Sequence, residues 1–388
     1  MSKWETVKLG DICTMVTGGT PSTSVKSYWD NGKIPWLPSG VCQNAIIDKS
    51  DTFITKEGLN NSSAKIMPIN TVVIALTGAT TGKVGILKIE ACANQSVTGI
   101  LPNDTLHYKY IFYYLLFSRS KIMNDSYGGA QKHISQRYVK DFQIPLPPLE
   151  IQKKIATNLD KLTHTIYLCN QIIEKLDLLV KARFVEMFGE LGTDKFGWGL
   201  EKIGNISEIN PKKAKDNRLY SDLEVSFVPM TAVSEKGDID TSEIKTYDEV
   251  KKGFTYFAEN DILFAKITPC MENGKGCIAH NLYNGIGFGS TEFHVLRPSE
   301  KINSYWLYII TTFKEFRENA CANMTGSAGQ RRVPAKFLEN YKITVPPIEL
   351  QNQFADFVEQ NEKSKSAVKK VLEKAETLKK TLMQEYFG

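Results

Sequence analysis

The chain carries the same nine-residue pattern twice. Residues 144–152 read Ile-Pro-Leu-Pro-Pro-Leu-Glu-Ile-Gln, and residues 343–351 read Ile-Thr-Val-Pro-Pro-Ile-Glu-Leu-Gln. The spacing is 199 residues at the first proline of each pair (147 to 346), at the glutamine (152 to 351) and at a later glycine (189 to 388). Only a rigid, continuous element tolerates so little change in length. Two such units can present two similar surfaces related by an approximate twofold axis, a geometry suited to a pseudo-palindromic partner.

The repeat extends into the regions that precede these motifs. Residues 4–12 match residues 198–206 at a spacing of 194 (4 to 198), and residues 70–75 match residues 260–265 at a spacing of 190 (70 to 260). The spacing between matching residues therefore varies in the first part of each unit and is constant from the Pro-Pro pair onward. Because insertions collect in surface loops, each unit is predicted to be a globular domain with variable loops followed by a constant helical region. We predict globular domains over 1–144 and 190–343, and helical regions over 145–189 and 344–388.

The globular domains are predicted to be α+β. Short β-rich runs at 71–76, 84–89 and 288–296 are bounded by Gly, Asn and Pro, and a helix is expected near 107–122 and near 303–319.

The helical regions are predicted to form an antiparallel coiled coil. No Pro or Gly interrupts 150–188 or 349–387, so each forms a helix of about 58 Å at 1.5 Å per residue. Apolar residues repeat at alternating steps of four and three, which is a heptad pattern. The first set is Ile155, Leu159, Leu162, Ile166, Cys169, Ile173, Leu176 and Val180; the second is Phe354, Phe357, Asn361, Ser364, Val368, Val371, Ala375, Leu378 and Leu382.

Two features of the predicted coiled coil remain open in the sequence. The second set is ambiguous by one position, although Asn361 and Ser364 could fix its register as polar residues in a heptad do. The helices could instead pack on their own globular domains.

Composition sets broad limits. A net charge of +5 and a pI near 8.6 are compatible with a nucleic-acid partner but equally with many enzymes. Seven cysteines without a Cys-x-x-Cys pair argue against a disulfide scaffold and a zinc ribbon. With no signal peptide and no apolar run long enough to cross a bilayer, we expect a cytoplasmic protein without a membrane partner.

No catalytic centre is predicted. Residues 78–84 imitate a phosphate-binding loop but are one residue short and lack the Ser or Thr that holds magnesium. Asp238, Glu249 and Lys251 resemble the two carboxylates and lysine of a metal-dependent nuclease, and a self-sufficient nuclease is therefore one alternative. A two-domain adaptor with no nucleic-acid role is another. We expect no cofactor and no metal in this chain.

Two pairs of polar loops are the predicted functional features. Glutamine can pair with adenine, while Arg or Lys can contact guanine or phosphate, although each loop could also be an ordinary solvated hairpin. The glycine-rich turns 128–133 and 326–332 present Gln131, Lys132, His133, Gln330, Arg331 and Arg332. The other pair presents Thr77, Thr80, Thr81 and Lys83 in the first unit, and Lys266, Thr268, Asn273 and Lys275 in the second.

These residues resemble a known family. Residues 18–22 (Gly-Gly-Thr-Pro-Ser), 34–37 (Ile-Pro-Trp-Leu), 131–135 (Gln-Lys-His-Ile-Ser), 145–152 and 264–275, together with 289–293 (Gly-Ser-Thr-Glu-Phe), are similar to the specificity subunit of Type I restriction-modification systems. The resemblance covers essentially the whole chain.

The resemblance implies a non-catalytic reader of double-stranded DNA. It implies two target-recognition domains, each contacting one half of a split site, separated by the coiled coil. It also implies two methyltransferase subunits, which modify adenine with S-adenosylmethionine, and two ATP-driven restriction subunits as partners. Because Lys132-His133 differs from Arg331-Arg332, the two half-sites are expected to differ.

Overall fold

The computed structural model describes residues 4–129, 132–213, 216–327 and 329–388. Two compact units emerge: unit 1 comprises Met1–Asn170 with Lys369–Gly388, and unit 2 comprises Gln171–Val368. This division cuts through both long helices. The boundaries between globular and helical segments that the sequence predicts do not follow this division, and they stay a prediction.

Unit 1 is built on a five-stranded sheet, a three-stranded sheet and a two-stranded ribbon. Its strands are β1 (Thr6–Lys8), β2 (Met15–Thr17), β3 (Ile34–Leu37), β4 (Ala45–Ile47), β5 (Phe53–Ile54), β6 (Val72–Ala75), β7 (Val84–Leu87), β8 (Cys92–Ala93), β9 (Val97–Ile100) and β10 (Gln143–Pro145). The strand orders are β2-β9-β6-β7-β4, β5-β3-β8 and β1-β10. Its short helices are α1 (Leu9–Ile12), α2 (Lys56–Asn60), α3 (Tyr108–Phe117), α4 (Arg119–Asp125) and α5 (Gln136–Asp141).

The long helix α6 (Leu149–Phe188) begins in unit 1 and ends in unit 2. The strands of unit 2 are β11 (Leu200–Lys202), β12 (Ser207–Ile209), β13 (Glu224–Val228), β14 (Ile244–Thr246), β15 (Thr255–Ala258), β16 (Ile262–Ala265), β17 (Gly276–Ile278), β18 (Ile286–Gly289), β19 (Phe293–Pro298) and β20 (Lys342–Thr344). Its short helices are α7 (Ile203–Ile206), α8 (Tyr247–Val250), α9 (Ser304–Thr312), α10 (Lys314–Ala322) and α11 (Ala335–Asn340), and α12 (Ile348–Phe387) ends the chain.

The two units share most of their strand topology. Unit 2 has the orders β12-β19-β16-β17, β14-β13-β18-β15 and β11-β20, so its first sheet repeats the order β2-β9-β6-β7 of unit 1. In both units the first strand pairs antiparallel with the strand that precedes a long helix. The central strands β6 and β16 are buried along their whole length, as expected for apolar runs covered on both faces. The sequence repeat therefore corresponds to a structural repeat.

The helices differ from prediction in one respect. The segment expected as one helix near 107–122 is broken at Ser118 into α3 and α4, and its counterpart near 303–319 is broken at Phe313 into α9 and α10. Phe313 takes an extended conformation, with ψ of 141°, and is buried in the core of unit 2. The break between α9 and α10 therefore falls at a residue whose ring is buried in the core. The long helices α6 and α12 are confirmed, each starting just after a Pro-Pro pair.

The glutamine of the repeated motif explains why that motif is repeated. Gln152 and Gln351 are 1% and 0% exposed. The Gln351 side chain donates to the carbonyls of Pro346 (2.8 Å) and Lys301 (3.3 Å) and accepts from the Asn303 amide (2.9 Å). Gln152 makes the equivalent three bonds in unit 1. Each glutamine thus ties the start of a long helix to the loop before α3 or α9.

Replacing Gln351 by Ala is expected to lower the free energy of unfolding by about 1–3 kcal/mol, because three backbone groups in one buried and two partly buried hydrogen bonds lose their partner. Urea unfolding followed by circular dichroism measures the change. Gln353→Ala, an exposed position on the same helical turn, is the matched control and is expected to change stability by less than about 0.5 kcal/mol. Equal effects of the two substitutions would contradict the role given to Gln351.

The ends of the long helices pack into the globular cores. In unit 1, Ile155, Leu159 and Phe387 join the core, and the Phe387 ring lies 5.5 Å from that of Tyr110. In unit 2, the Phe354 ring lies 5.5 Å from the rings of Phe184 and Phe188. The start of each long helix therefore packs on the globular domain that precedes it, as the alternative expected, whereas Phe387 and Phe188, at the far ends, pack in the core of the other globular domain.

The predicted heptad of α12 is wrong by one residue over part of its length. Val371 and Leu378 are 49% and 48% exposed and Ser364 is exposed, whereas Val358, Asn361, Lys365 and Ala375 are buried. The heptad was assigned from the positions of apolar residues, and this missed the buried position that Lys365 occupies. The remaining predicted positions, namely Leu162, Ile166, Ile173, Leu176, Phe357, Val368 and Leu382, are buried or half-buried.

Polar contacts join the two long helices within unit 2. The Asn361 side chain donates to the Leu176 carbonyl at 3.1 Å, and Lys365 Nζ lies 2.6 Å from Asp177 Oδ1 and 3.5 Å from Glu362 Oε1. Burial favours a neutral Lys365, but the hydrogen bond to Asp177 and the charge of Glu362 outweigh it and raise the lysine pKa. Within unit 1, the Asn158 side chain donates to Tyr386 Oη at 3.3 Å.

Candidate nucleic-acid interface

Two loops predicted to be functional lie together within each unit. We call residues 77–83 and 266–275 loop A of units 1 and 2, and residues 127–133 and 325–332 loop B. In unit 1 the Gly78 amide donates to the Lys132 carbonyl at 3.0 Å. In unit 2 the Thr268 amide donates to the Arg331 carbonyl at 3.1 Å. The same pair of loops therefore forms one surface in each unit.

The described ends of loop B pair with each other as the strands of a hairpin do in both units. Tyr127 and His133 exchange backbone hydrogen bonds of 3.0 and 2.8 Å, and Thr325 and Arg332 exchange bonds of 2.9 and 2.8 Å. The turn enters through Gly326, whose φ of 119° strongly favours glycine. The glycines recognised in the sequence thus serve the turn geometry. Gln131 lies outside the described residues.

The loop surface of unit 1 leaves most of the predicted side chains that the structure describes partly accessible. Lys132 is exposed, Lys83 Nζ donates to Gln43 Oε1 at 2.6 Å, and the His133 ring packs edge-on against Tyr127 with centroids 4.9 Å apart. Thr77 and Thr80 are half-buried. Thr81 is a correction, because it is 0% exposed and its hydroxyl lies 2.8 Å from the Gly78 and Lys132 carbonyls. It joins loop A to loop B and has no surface to offer a partner.

Carboxylates that the sequence analysis missed contact the predicted residues of unit 2. Arg332 pairs with Glu292, with Nη2 2.8 Å from Oε1, and Arg331 Nη2 lies 3.9 Å from Glu272 Oε1. The Asn273 amide donates to Glu235 at 2.9 Å. Glu292 lies in a motif noted in the sequence, but its distance along the chain from Arg332 conceals the pairing.

The other predicted residues of this surface have local contacts of their own. The Thr268 hydroxyl donates to Glu272 Oε1 at 3.1 Å, and Lys275 Nζ donates to the Met230 carbonyl at 3.1 Å. Gln330 is exposed, while Lys266 is half-buried. Burial, together with the charge of Arg332, lowers the pKa of Lys266 even though Glu292 opposes the shift.

A buried arginine supports loop A of unit 2. Arg317, on α10, is 7% exposed and donates to the carbonyls of Thr311 (2.5 Å), Met271 (2.9 Å) and Gly274 (3.3 Å). Its guanidinium lies 4.6 Å from the centre of the Phe264 ring. Burial lowers the arginine pKa to about 10. Arg317 therefore fixes the inner side of the loop whose outer side carries Thr268, Asn273 and Lys275.

The residues of the nuclease alternative have separate structural roles. Asp238 accepts from the Ser234 hydroxyl at 3.0 Å, Glu249 caps α8 through Thr246, and Lys251 pairs with Asp248 at 2.9 Å. In the described part of the chain, no group of three His, Cys, Asp or Glu side chains is arranged to hold a metal. None of the helices in the same part combines the length and hydrophobicity needed to cross a bilayer.

Each α/β unit carries one surface formed by loops A and B. The chain is therefore a protein with two similar surfaces for binding a partner. A family model described as the Type I restriction modification DNA specificity domain matches residues 1–178 and 196–377. The chain therefore belongs to the family of Type I restriction-modification specificity subunits, which confirms the resemblance noted from its motifs.

Individual relatives agree with this assignment. The chain is 45% identical over 159 residues to the Type I restriction enzyme EcoAI specificity subunit of Escherichia coli, a match that covers 40% of this chain and 26% of that protein. It is 24% identical over 382 residues to the MjaIX specificity subunit of Methanocaldococcus jannaschii, covering 92% of this chain and 86% of the relative.

A solved structure shares the fold. The crystal structure of the Type I restriction-modification S subunit from M. genitalium superposes with a TM-score of 0.60 at 15% identity, covering 100% of this chain and 96% of that one.

Proposed function

We propose that the chain reads an asymmetric, two-part DNA site, with one half-site for each unit. The observation that supports this most is the recurrence of the joined loops A and B in both units, each surface with exposed or partly exposed basic groups beside amide or hydroxyl groups. Such side chains form hydrogen bonds to base edges in the major groove and to the phosphates of the DNA backbone. The basic net charge is compatible with the same partner.

The two half-sites are proposed to differ because the surfaces differ. Unit 1 presents Lys132 and His133 where unit 2 presents Arg331 and Arg332. A planar guanidinium can pair with two acceptors of one guanine, whereas the imidazole and ammonium make single contacts. The base preference of each half-site should follow these differences.

The long helices are proposed to form an antiparallel coiled coil with a pseudo-twofold relation between the units. Contacts inside unit 2 support the antiparallel direction: Leu176 contacts Asn361, whereas Phe188, later in α6, contacts Phe354, earlier in α12. Such a coil would set the distance between the half-sites. Asn361 and Lys365 can contact Leu176 and Asp177 in only one alignment of the two helices. They are therefore proposed to fix the register of the coiled coil.

Methyltransferase and restriction subunits are the proposed protein partners, two of each. The family to which the chain belongs supports this, since a specificity subunit without catalytic residues needs partners to modify or cleave DNA. Exposed apolar side chains of α12, namely Val371 and Leu378, and of α6, namely Leu178 and Leu179, offer surface for such partners.

Reciprocal alanine substitutions test DNA reading. In cells carrying the complete system, Arg331→Ala is expected to relax base preference only in the half-site of unit 2, by about 1–3 kcal/mol if the contact is bidentate. His133→Ala is expected to affect only the other half-site. Sequencing of methylated adenines measures both effects. A methylation motif unchanged in both variants would remove these residues from the reading surface.

The two alternatives predict different results. A self-sufficient nuclease would cleave DNA with magnesium and this chain alone. A structural adaptor would leave the complex with the methyltransferase unable to bind duplex DNA even at low salt. The proposed reader instead binds DNA within the complex, and its affinity falls steeply as salt rises.

A further inference from the structure

One guanidinium in the loop surface of unit 2 is held along a whole edge. Arg332 Nε lies 2.9 Å from Glu292 Oε2, and Arg332 Nη2 lies 2.8 Å from Glu292 Oε1. These are two parallel charge-assisted bonds, the geometry in which a carboxylate orients an arginine most strongly. Both side chains remain partly exposed, at 41% for Arg332 and 26% for Glu292.

Glu292 is itself firmly placed. It directly precedes β19, its backbone carbonyl accepts from the Lys266 amide at 2.9 Å, and its own amide donates to the Ser290 hydroxyl at 3.2 Å. Glu292 is therefore held in place at the start of β19, whereas Arg332 lies in loop B. Their pairing fixes the direction of a long side chain that would otherwise sample many rotamers.

The pairing leaves one edge of the guanidinium facing away from Glu292. The Nη1/Nη2 edge has a single protein contact in the described residues, from Nη1 to the Gln330 carbonyl at 3.0 Å. Two neighbouring N–H donors match the O6 and N7 acceptors that guanine presents in the major groove. Because Glu292 neutralises the charge, the pair is poorly suited to phosphate and well suited to a base edge.

Unit 1 has neither member of this pair. Ser96 occupies the place of Glu292, since its carbonyl accepts from the Leu76 amide as that of Glu292 accepts from Lys266. His133 occupies the place of Arg332 in the loop B hairpin. The acidic residue is therefore present in the unit that has an arginine to orient, which a general structural need of the sheet would not explain.

We propose that Glu292 is a specificity-determining positioning residue, which orients Arg332 to read one guanine in the half-site of unit 2. This inference rests on the proposed DNA-reading function.

The test compares Glu292→Gln with wild type in the complete complex. Discrimination at a single G·C base pair of the unit 2 half-site is expected to fall about tenfold, because a glutamine cannot hold both nitrogens of the guanidinium. Affinity for a non-cognate duplex is expected to rise about threefold and to depend more steeply on salt, because Arg332 gains freedom and an unneutralised charge. Methylated-adenine sequencing and salt-dependent DNA binding measure the two effects.

The opposite signs of these effects separate orientation from simple structural support. A residue needed only for folding would lose affinity for both duplexes. Glu300→Gln, which removes the same charge from an exposed position beyond the other end of β19, is the matched control and is expected to leave the motif unchanged. Unchanged discrimination in Glu292→Gln, or weaker binding to both duplexes, would overturn the inference.

If the complex with Glu292→Gln assembles poorly, a second variant tests the same inference. Arg332→Lys keeps the charge but cannot contact two acceptors, and it is expected to relax the same base pair; an unchanged motif would overturn the inference. If the wild-type complex gives no two-part motif, the proposed function fails and the inference with it. If wild type gives the motif and both variants retain it, the inference alone fails.

Discussion

Deleting one heptad from each long helix is expected to bring the two half-sites closer together without changing either half-site sequence. Removing residues 166–172 from α6 and 368–374 from α12 shortens each helix by about 10.5 Å, close to three base pairs of duplex DNA. Because the loop surfaces are untouched, they should read the same bases. Methylation at the original spacing should fall more than about a thousandfold, towards the non-specific level.

The control for this experiment is deletion of the heptad from α6 alone. It shifts one end of α6 against α12, so the contacts of Leu176 and Asp177 with Asn361 and Lys365 cannot be kept together with the contact between Asn158 and Tyr386, and assembly itself should fail. The methylation motif of the double deletion, obtained by sequencing, measures the gap. An unchanged gap in a well-folded double deletion would mean that the helices do not set the spacing.

Replacing the globular part of unit 1 by that of unit 2 is expected to produce a symmetric target. The repeated motifs supply the junctions, so that residues 198–343 take the place of residues 4–144. Two identical surfaces related by a twofold axis read an inverted repeat. The modified site should therefore be the unit 2 half-site followed by its reverse complement. Methylation of the parent site should fall more than about a thousandfold.

The reciprocal chimera, with the unit 1 sequence in both places, is the natural control. It should yield an inverted repeat of the other half-site. If either chimera folds and still methylates the asymmetric parent site, the units do not read half-sites independently. A direct rather than inverted repeat would instead contradict the proposed twofold relation.

The sequence predicted the repeat and the long helices well because both leave local signals. Uninterrupted stretches without Pro or Gly after each Pro-Pro pair are sufficient to indicate α6 and α12. The exact heptad of α12 could not be read in the same way. A buried Lys365 and exposed Val371 and Leu378 reverse the hydrophobic pattern on which such an assignment depends. Asp177, which makes the buried lysine tolerable, lies far away in the chain.

The loops of the candidate interface were only partly predictable. Recurrence in both units identified loops A and B, and their backbone hydrogen bonds join them in the structure. The role of Thr81 was missed because a hydroxyl in a polar loop gives no sign of being buried. The roles of Glu292 and Arg317 were missed because each depends on a partner brought close by the sheet or by α10. Long-range pairing of this kind is determined by the fold and leaves no local pattern.

Sequencing the methylated adenines in cells that carry the complete wild-type system tests the central claim most directly. The account predicts one motif made of two different short sequences separated by a gap of fixed length and unspecified bases. A single continuous motif, or two half-sites whose gap varies freely, would contradict it.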